Sequence, residues 1–219
     1  MGYKAVLLDM DGTVLDTLSD LYAAVNHSLM EFGLPTVSRE KVRASLGNGA
    51  ARLIRRCLPE GAEEQLAERV LEFYLPYYNA HCSVDTRPYE GIVPMMERLR
   101  AAGVKLAIVS NKVDAAVKML AEEHFPGLLE TAVGESETVR RKPDPDAVLA
   151  AARELGEGVS DCVYVGDSEV DIQTAENAGM DCISVGWGFR DPDQLIAAGA
   201  QRVAATPGEL ERMILGSTN

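Results

Sequence analysis

Two rhythms of apolar and polar positions alternate along this chain. Short, mostly apolar runs occupy residues 5–8, 104–109, 131–134, 162–166, 182–185 and 203–205. Runs this short read as strands buried on both faces, the pattern of a parallel sheet. Between them, spacing and turn residues predict helices over 92–102, 113–123, 145–155, 169–178 and 192–198. Gly103, Gly156 and Gly179 close three of these helices. Strands alternating with helices predict right-handed βαβ units and a doubly wound parallel sheet, an α/β Rossmann-like fold.

One stretch breaks the alternation. Leu21, Val25, Leu29 and Phe32 recur at helical spacing, which predicts a helix over 17–32, with Gly33 at its end and Pro35 beyond. Residues 39–57 read as two helical pieces separated by Gly47-Asn48-Gly49. Leu66, Val70, Phe73 and Tyr77 mark another helix, with a kink expected at Pro76. No strand is predicted between residues 16 and 85. The expected organisation is a discontinuous α/β core domain, 1–15 with 86–219, interrupted by an all-helical domain over 16–85. That insert is expected above the carboxyl edge of the sheet, where open α/β sheets bind ligands, with hinges near 15–18 and 83–88.

Chemistry-bearing residues collect at the predicted strand ends. The first run stops at Asp9-Met10-Asp11-Gly12-Thr13, and strand alternation points Asp9 and Asp11 to the same side. Two such carboxylates repel each other unless a cation sits between them, and Mg²⁺ shared with a substrate phosphate meets that need. Ser110-Asn111 ends the run at 104–109, Lys142 lies in a charged, proline-rich loop, and Asp167 and Asp171 follow the run at 162–166. Each has an ordinary structural reading: Ser110 as a helix cap, Lys142 in a solvated turn, Asp167 and Asp171 as acids of a helix's first turn. Together they place at every strand end a residue type that phosphate chemistry requires. Asp16 reads as the N-cap of the first inserted helix.

The bulk properties narrow the partners. A formal net charge of −13 argues against nucleic acid or an anionic membrane as the main partner. Cys57, Cys82, Cys162 and Cys182 form no Cys-x-x-Cys pair, which points to a reduced, cytoplasmic setting. No apolar stretch reaches membrane-spanning length, and the first residues lack a signal-peptide layout. A small phosphorylated metabolite is the expected partner, and the protein is expected to be a monomer or homodimer.

Asp9-Met10-Asp11-Gly12-Thr13-Val14, Ser110-Asn111, Lys142-Pro143 and Gly166-Asp167-Ser168 with Asp171 resemble the four motifs of the haloacid dehalogenase-like hydrolases. Their order and spacing span nearly the whole chain. Within that superfamily, Ser45 to Ala50, Tyr89-Glu90-Gly91 and Ser110-Asn111-Lys112 are similar to the phosphoglycolate phosphatases. The resemblance implies that Asp9 attacks phosphorus and that Asp11 is the acid and then the base. It further implies Mg²⁺ on Asp9, the Asp11 carbonyl, Asp167 and Asp171, the last directly or through water. Thr13, Ser110, the Asn111 amide and Lys142 would take the phosphoryl oxygens, and Lys142, as a catalytic residue, would also steady the ionised Asp9. In the insert, a cap by this resemblance, Asn48, Gly49 and Arg52 could bind a substrate carboxylate, or could be a break between two helices with an exposed basic face.

Other readings share parts of this pattern. A β-phosphoglucomutase-like or pyrophosphatase-like member would use the same acids. A phosphonatase would need a cap lysine, and Lys41 alone is there, in an unremarkable context. From a different class, a phospho-accepting receiver module also joins a doubly wound sheet to a Mg²⁺-binding acidic cluster, but needs no helical insert.

Overall fold

The computed structural model describes residues 2–216. Contacts divide it into two compact units, one running up to Leu15 and from Pro88 onward, the other Asp16–Arg87.

The first unit is built on six parallel strands: β1 (Ala5–Leu8), β4 (Lys105–Val113), β5 (Thr131–Glu135), β6 (Cys162–Gly166), β7 (Asp181–Val185) and β8 (Val203–Ala204). Their order is β5-β4-β1-β6-β7-β8. The chain therefore departs from β1 in both directions, which makes the end of β1 the switch point of the sheet. Register aligns Leu8 with Ile108 on one side and Val165 on the other. The next residues of all three strands thus emerge side by side at one edge.

Helices α5 (Ile92–Ala101), α6 (Asp114–His124), α7 (Asp146–Leu155), α8 (Glu169–Ala178) and α9 (Pro192–Ala197) connect these strands. One core cluster joins Leu7, Val109 and Tyr164 of the sheet to Val148, Ala151 and Leu155 of α7. Burying such continuous apolar strands contributes about 25 cal/mol per Å², and this dominates the stability of the unit.

The second unit holds α1 (Leu18–Glu31), α2 (Arg39–Ser45), α3 (Gly49–Cys57) and α4 (Glu64–His81), with Pro76 inside α4. Buried Asp20 on α1 ties down the returning chain. Its carboxylate accepts from the amides of Val84, Asp85 and Thr86 and from the Thr86 hydroxyl, at 2.8–3.1 Å.

Several expectations are corrected. Asp16 is not the N-cap of α1; Thr17 occupies that position, and Asp16 Oδ1 instead accepts the Leu18 amide at 3.2 Å. Asp16 belongs to the short strand β2 (Leu15–Asp16), which forms a two-stranded ladder with β3 (Arg87–Pro88). Ser110 caps no helix, because β4 continues through it to Val113. A last helix, α10 (Pro207–Leu215), was not anticipated, although Thr206 and Glu209 stand at cap spacing and the Thr206 hydroxyl accepts the Glu209 amide. None of the four cysteines forms a disulfide. Among the described residues, no helix is long and apolar enough to cross a membrane.

Candidate active site

The turn after β1 is wound around the Met10 carbonyl, which accepts the amides of Thr13, Val14 and Leu15 at 3.0–3.3 Å. Asp9, just before it, is anchored by its own amide to the Val165 carbonyl at 2.8 Å and is 6% exposed. Gly12 adopts φ +84°, and a Cβ there would lie 2.2 Å from Asp167 Oδ2. A glycine is therefore required twice over, for the backbone angle and for the approach of the Asp167 carboxylate. The Thr13 hydroxyl lies 3.4 Å from Asp9 Oδ2.

Lys142 enters from the irregular loop between β5 and α7. The Asn111 side chain holds it there: Asn111 Oδ1 accepts the Lys142 amide at 2.7 Å, and Asn111 Nδ2 donates to the Lys142 carbonyl at 3.1 Å. The buried ammonium then donates to Asp9 Oδ1 at 2.6 Å, Asp171 Oδ1 at 2.8 Å and the Tyr164 hydroxyl at 2.8 Å. Three donors meet three acceptors, so the lysine is fully used. Ser110 is buried, and its hydroxyl accepts the Lys112 amide at 3.2 Å.

Carboxylate oxygens of Asp9, Asp167 and Asp171 all lie within 4.8 Å of one another. Asp171 is the most constrained of the three. Its Oδ1 accepts from Lys142 and from Tyr164 at 3.0 Å, and its Oδ2 accepts the amide and the hydroxyl of Ser168 at 3.1 and 2.6 Å. Four donors occupy a carboxylate that offers about four acceptor positions. Asp167 accepts the Phe189 amide at 2.5 Å. The Asp11 carboxylate is not part of this cluster and lies 3.2 Å from Lys112 Nζ.

Charge sets the electrostatics. Four carboxylates, Asp9, Asp11, Asp167 and Asp171, face the two ammonium groups of Lys112 and Lys142. Burial pushes the Asp9 carboxyl up to about 7, with Asp171 adding to the rise and Lys142 opposing it. Asp167 is raised well above the usual range by burial and by its two neighbouring acids. Burial alone would lower Lys142, but Asp171 and Asp9 outweigh it and hold the ammonium charged. The acids exceed the ammonium groups by two charges, which one divalent cation would neutralise. Asp11 Oδ1 is buried and makes no hydrogen bond, and the Lys112 ammonium is the cation that faces it.

A loop that the sequence reading passed over completes the edge. After β7, the Trp187 indole donates to the Thr13 carbonyl at 3.0 Å. At Gly188, a Cβ would stand 2.4 Å from the Asp167 carboxylate and from the Gly12 carbonyl. The signal was Gly186-Trp187-Gly188-Phe189 directly after an apolar run, a loop able to pass unusually close to its neighbours. Lys112 was also overlooked as a cation of the site. Asn48, Gly49 and Arg52 belong to the helical unit, where the Arg52 guanidinium donates to Asn48 Oδ1 at 2.8 Å.

The sequence profile of the haloacid dehalogenase-like hydrolases matches residues 6–185. The chain belongs to that family. It is 35% identical over 192 residues to a phosphoglycolate phosphatase of Pseudomonas syringae pv. tomato, covering 85% of this chain and 70% of the relative. It is 32% identical over 212 residues to the N-acetylmuramic acid 6-phosphate phosphatase of Pseudomonas aeruginosa, covering 96% and 94%. A crystal structure from Lactobacillus delbrueckii subsp. bulgaricus, of a protein proposed to be a phosphoglycolate phosphatase, superposes with a TM-score of 0.96. That structure is 40% identical and covers 99% of this chain and 100% of its own. Within the haloacid dehalogenase-like hydrolases, the chain stands with the phosphatases, the hydrolases of phosphoric monoesters.

Proposed function

We propose that this protein is a Mg²⁺-dependent phosphomonoesterase that works through an aspartyl-phosphate, with 2-phosphoglycolate as its substrate. The observation that carries the reading is the Lys142 ammonium bonded at once to Asp9 and Asp171, with Asp167 alongside. A carboxylate so held is oriented and buried, which suits a nucleophile toward phosphorus.

An Asp9 oxygen attacks phosphorus, and the ester P–O bond breaks. Asp11, half-buried and within reach of solvent, gives its proton to the departing alkoxide. Water then attacks the phosphorus of the acyl phosphate and yields its proton to Asp11. Phosphate leaves and the Asp9 carboxylate is restored. Ser110, the Asn111 amide and Lys142 receive the phosphoryl oxygens, while the Thr13 hydroxyl and Lys142 orient Asp9.

The residues fit a divalent cation. Asp9, Asp167 and the Asp11 carbonyl would hold Mg²⁺, which when bound offsets the negative charge of nucleophile and phosphate. Asp171, with all its acceptor positions taken, acts through Lys142 or through a water. The helical unit, carrying Asn48, Gly49 and Arg52, takes part in the choice among substrates.

A second substrate reading has its own support. The N-acetylmuramic acid 6-phosphate phosphatase aligns with this chain over almost all of both lengths. A phosphate-release screen with Mg²⁺ separates the two, with 2-phosphoglycolate expected to lead. Leading release from N-acetylmuramic acid 6-phosphate, or from a hexose phosphate, would overturn the substrate. Undiminished turnover by Asp9→Asn, or in EDTA, would overturn the mechanism.

A further inference from the structure

The chain between β7 and α9 forms neither strand nor helix, yet it is fastened along its whole length. The Gly186 amide donates to the Ala204 carbonyl at 2.9 Å, and the Trp187 indole to the Thr13 carbonyl at 3.0 Å. The Phe189 amide donates to Asp167 Oδ2 at 2.5 Å. The Arg190 guanidinium then grips Glu169 with two bonds, Nε to Oε2 at 2.8 Å and Nη2 to Oε1 at 3.0 Å. Residues 189 and 190 thus make two successive rungs to residues 167 and 169.

Two rungs fix more than one does. A single amide bond sets a distance but lets the Asp167 carboxylate turn with the loop. The second rung is bidentate, so its planar fork fixes an angle as well. Its acceptor, Glu169, is the first residue of α8, and the helix sets its place. The Arg190 side chain is 10% exposed, whereas that of Glu169 is 44% exposed. An ion pair open to water on one side adds little to stability. Orienting a metal ligand is a different task, in which the partner of the ligand matters out of proportion to its contribution to folding. The loop needs such a hold, since Asp167 Oδ2 and the Gly12 carbonyl both flank the point where a Gly188 Cβ would stand.

We infer that Glu169 is a positioning residue: by clamping Arg190 it keeps the Phe189 amide on Asp167 and so orients that carboxylate for a divalent cation. The inference rests on the proposed function in taking Asp167 as a ligand of Mg²⁺. Glu169 acts through Arg190 and is not itself a ligand.

The test measures Mg²⁺ binding to the full chain by calorimetry, without substrate. Glu169→Ala is expected to weaken binding about tenfold, the scale of losing a residue that orients a ligand. Glu169→Gln keeps one acceptor for Arg190 and should lose only about threefold. In the Arg190→Met background, adding Glu169→Ala should change affinity by less than about twofold, because the clamp is already gone. Melting in EDTA should shift by less than about 4 °C in Glu169→Ala, which makes the loss one of binding and not of folding. With p-nitrophenyl phosphate, the defect should lie in the Mg²⁺ concentration for half-maximal rate and vanish at saturating Mg²⁺. Unchanged Mg²⁺ affinity in Glu169→Ala would overturn the inference. A tenfold loss that persists in the Arg190→Met background would make Glu169 merely a negative charge near the cation, and would overturn it too. So would an equal loss in Glu211→Ala, which breaks the bidentate pair of Arg98 and Glu211 between α5 and α10. Wild-type protein that binds Mg²⁺ with this dependence on Glu169, but releases phosphate from no ester, would overturn the phosphomonoesterase reading and leave the inference standing. Wild-type protein that binds no Mg²⁺ would overturn both.

Discussion

Lys142 Nζ lies 2.6 Å from Asp9 Oδ1, although the two residues are 133 positions apart in the chain. The same ammonium reaches Asp171, so one buried cation compensates two buried acids. Such a group cannot be removed cheaply. Lys142→Met should destabilise the metal-free protein by about 3–5 kcal/mol, because two carboxylates lose their counter-charge. Urea unfolding in EDTA would measure this, and a loss under about 1 kcal/mol would contradict the arrangement.

Tyr164 is the third acceptor of Lys142 and donates to Asp171. Tyr164→Phe keeps the ring but drops both bonds. Stability should fall by about 1–2 kcal/mol. The effect on activity should appear in kcat, about tenfold, with KM little changed, since the ring touches the lysine and not the substrate. A steady-state comparison with folding confirmed by circular dichroism would check it.

The acidic cluster predicts how stability depends on pH. The Asp9 carboxyl is raised to about 7 in the folded chain, above the ordinary value it has when unfolded. Between those two values the folded state binds more protons than the unfolded state. Stability of the metal-free protein should therefore fall as pH rises from about 4 to about 7, with Asp167 contributing in the same direction. Mg²⁺ should stabilise more at pH 8 than at pH 5. Thermal melts in EDTA and in Mg²⁺ across this range test both statements, and a metal-free protein that gains stability over that interval would refute the first.

Gly188 has no room for a side chain against Asp167. Gly188→Ala must displace the carboxylate or the loop, and Mg²⁺ affinity measured by calorimetry should drop about 10- to 100-fold. The fold should survive, because the strain is confined to the strand edge.

Asp20 tests the helical unit by itself. Asp20→Ala leaves the amides of Val84, Asp85 and Thr86 without their acceptor. A loss of about 3 kcal/mol is expected, seen as a lower unfolding midpoint.

Much of this architecture follows from local pattern. Buried parallel strands are apolar over most of their length, so β1, β4, β6 and β7 announce themselves, and helical periodicity marks the insert. The acids were legible for the same reason: Asp9 and Asp167 directly follow runs that end at the same edge, and Asp11 and Asp171 lie within five residues of those ends. That Lys142 would meet Asp9 was expected from the family resemblance alone, and what holds its aperiodic loop there, the Asn111 side-chain amide, was not legible. Nor were the saturation of Asp171, the near contact at Gly188 and the burial of Lys112. These are distances between segments remote in the chain, and only the packing of the sheet edge decides them. The residues present determined which chemistry was possible; the tertiary structure decided which charge each of them faces.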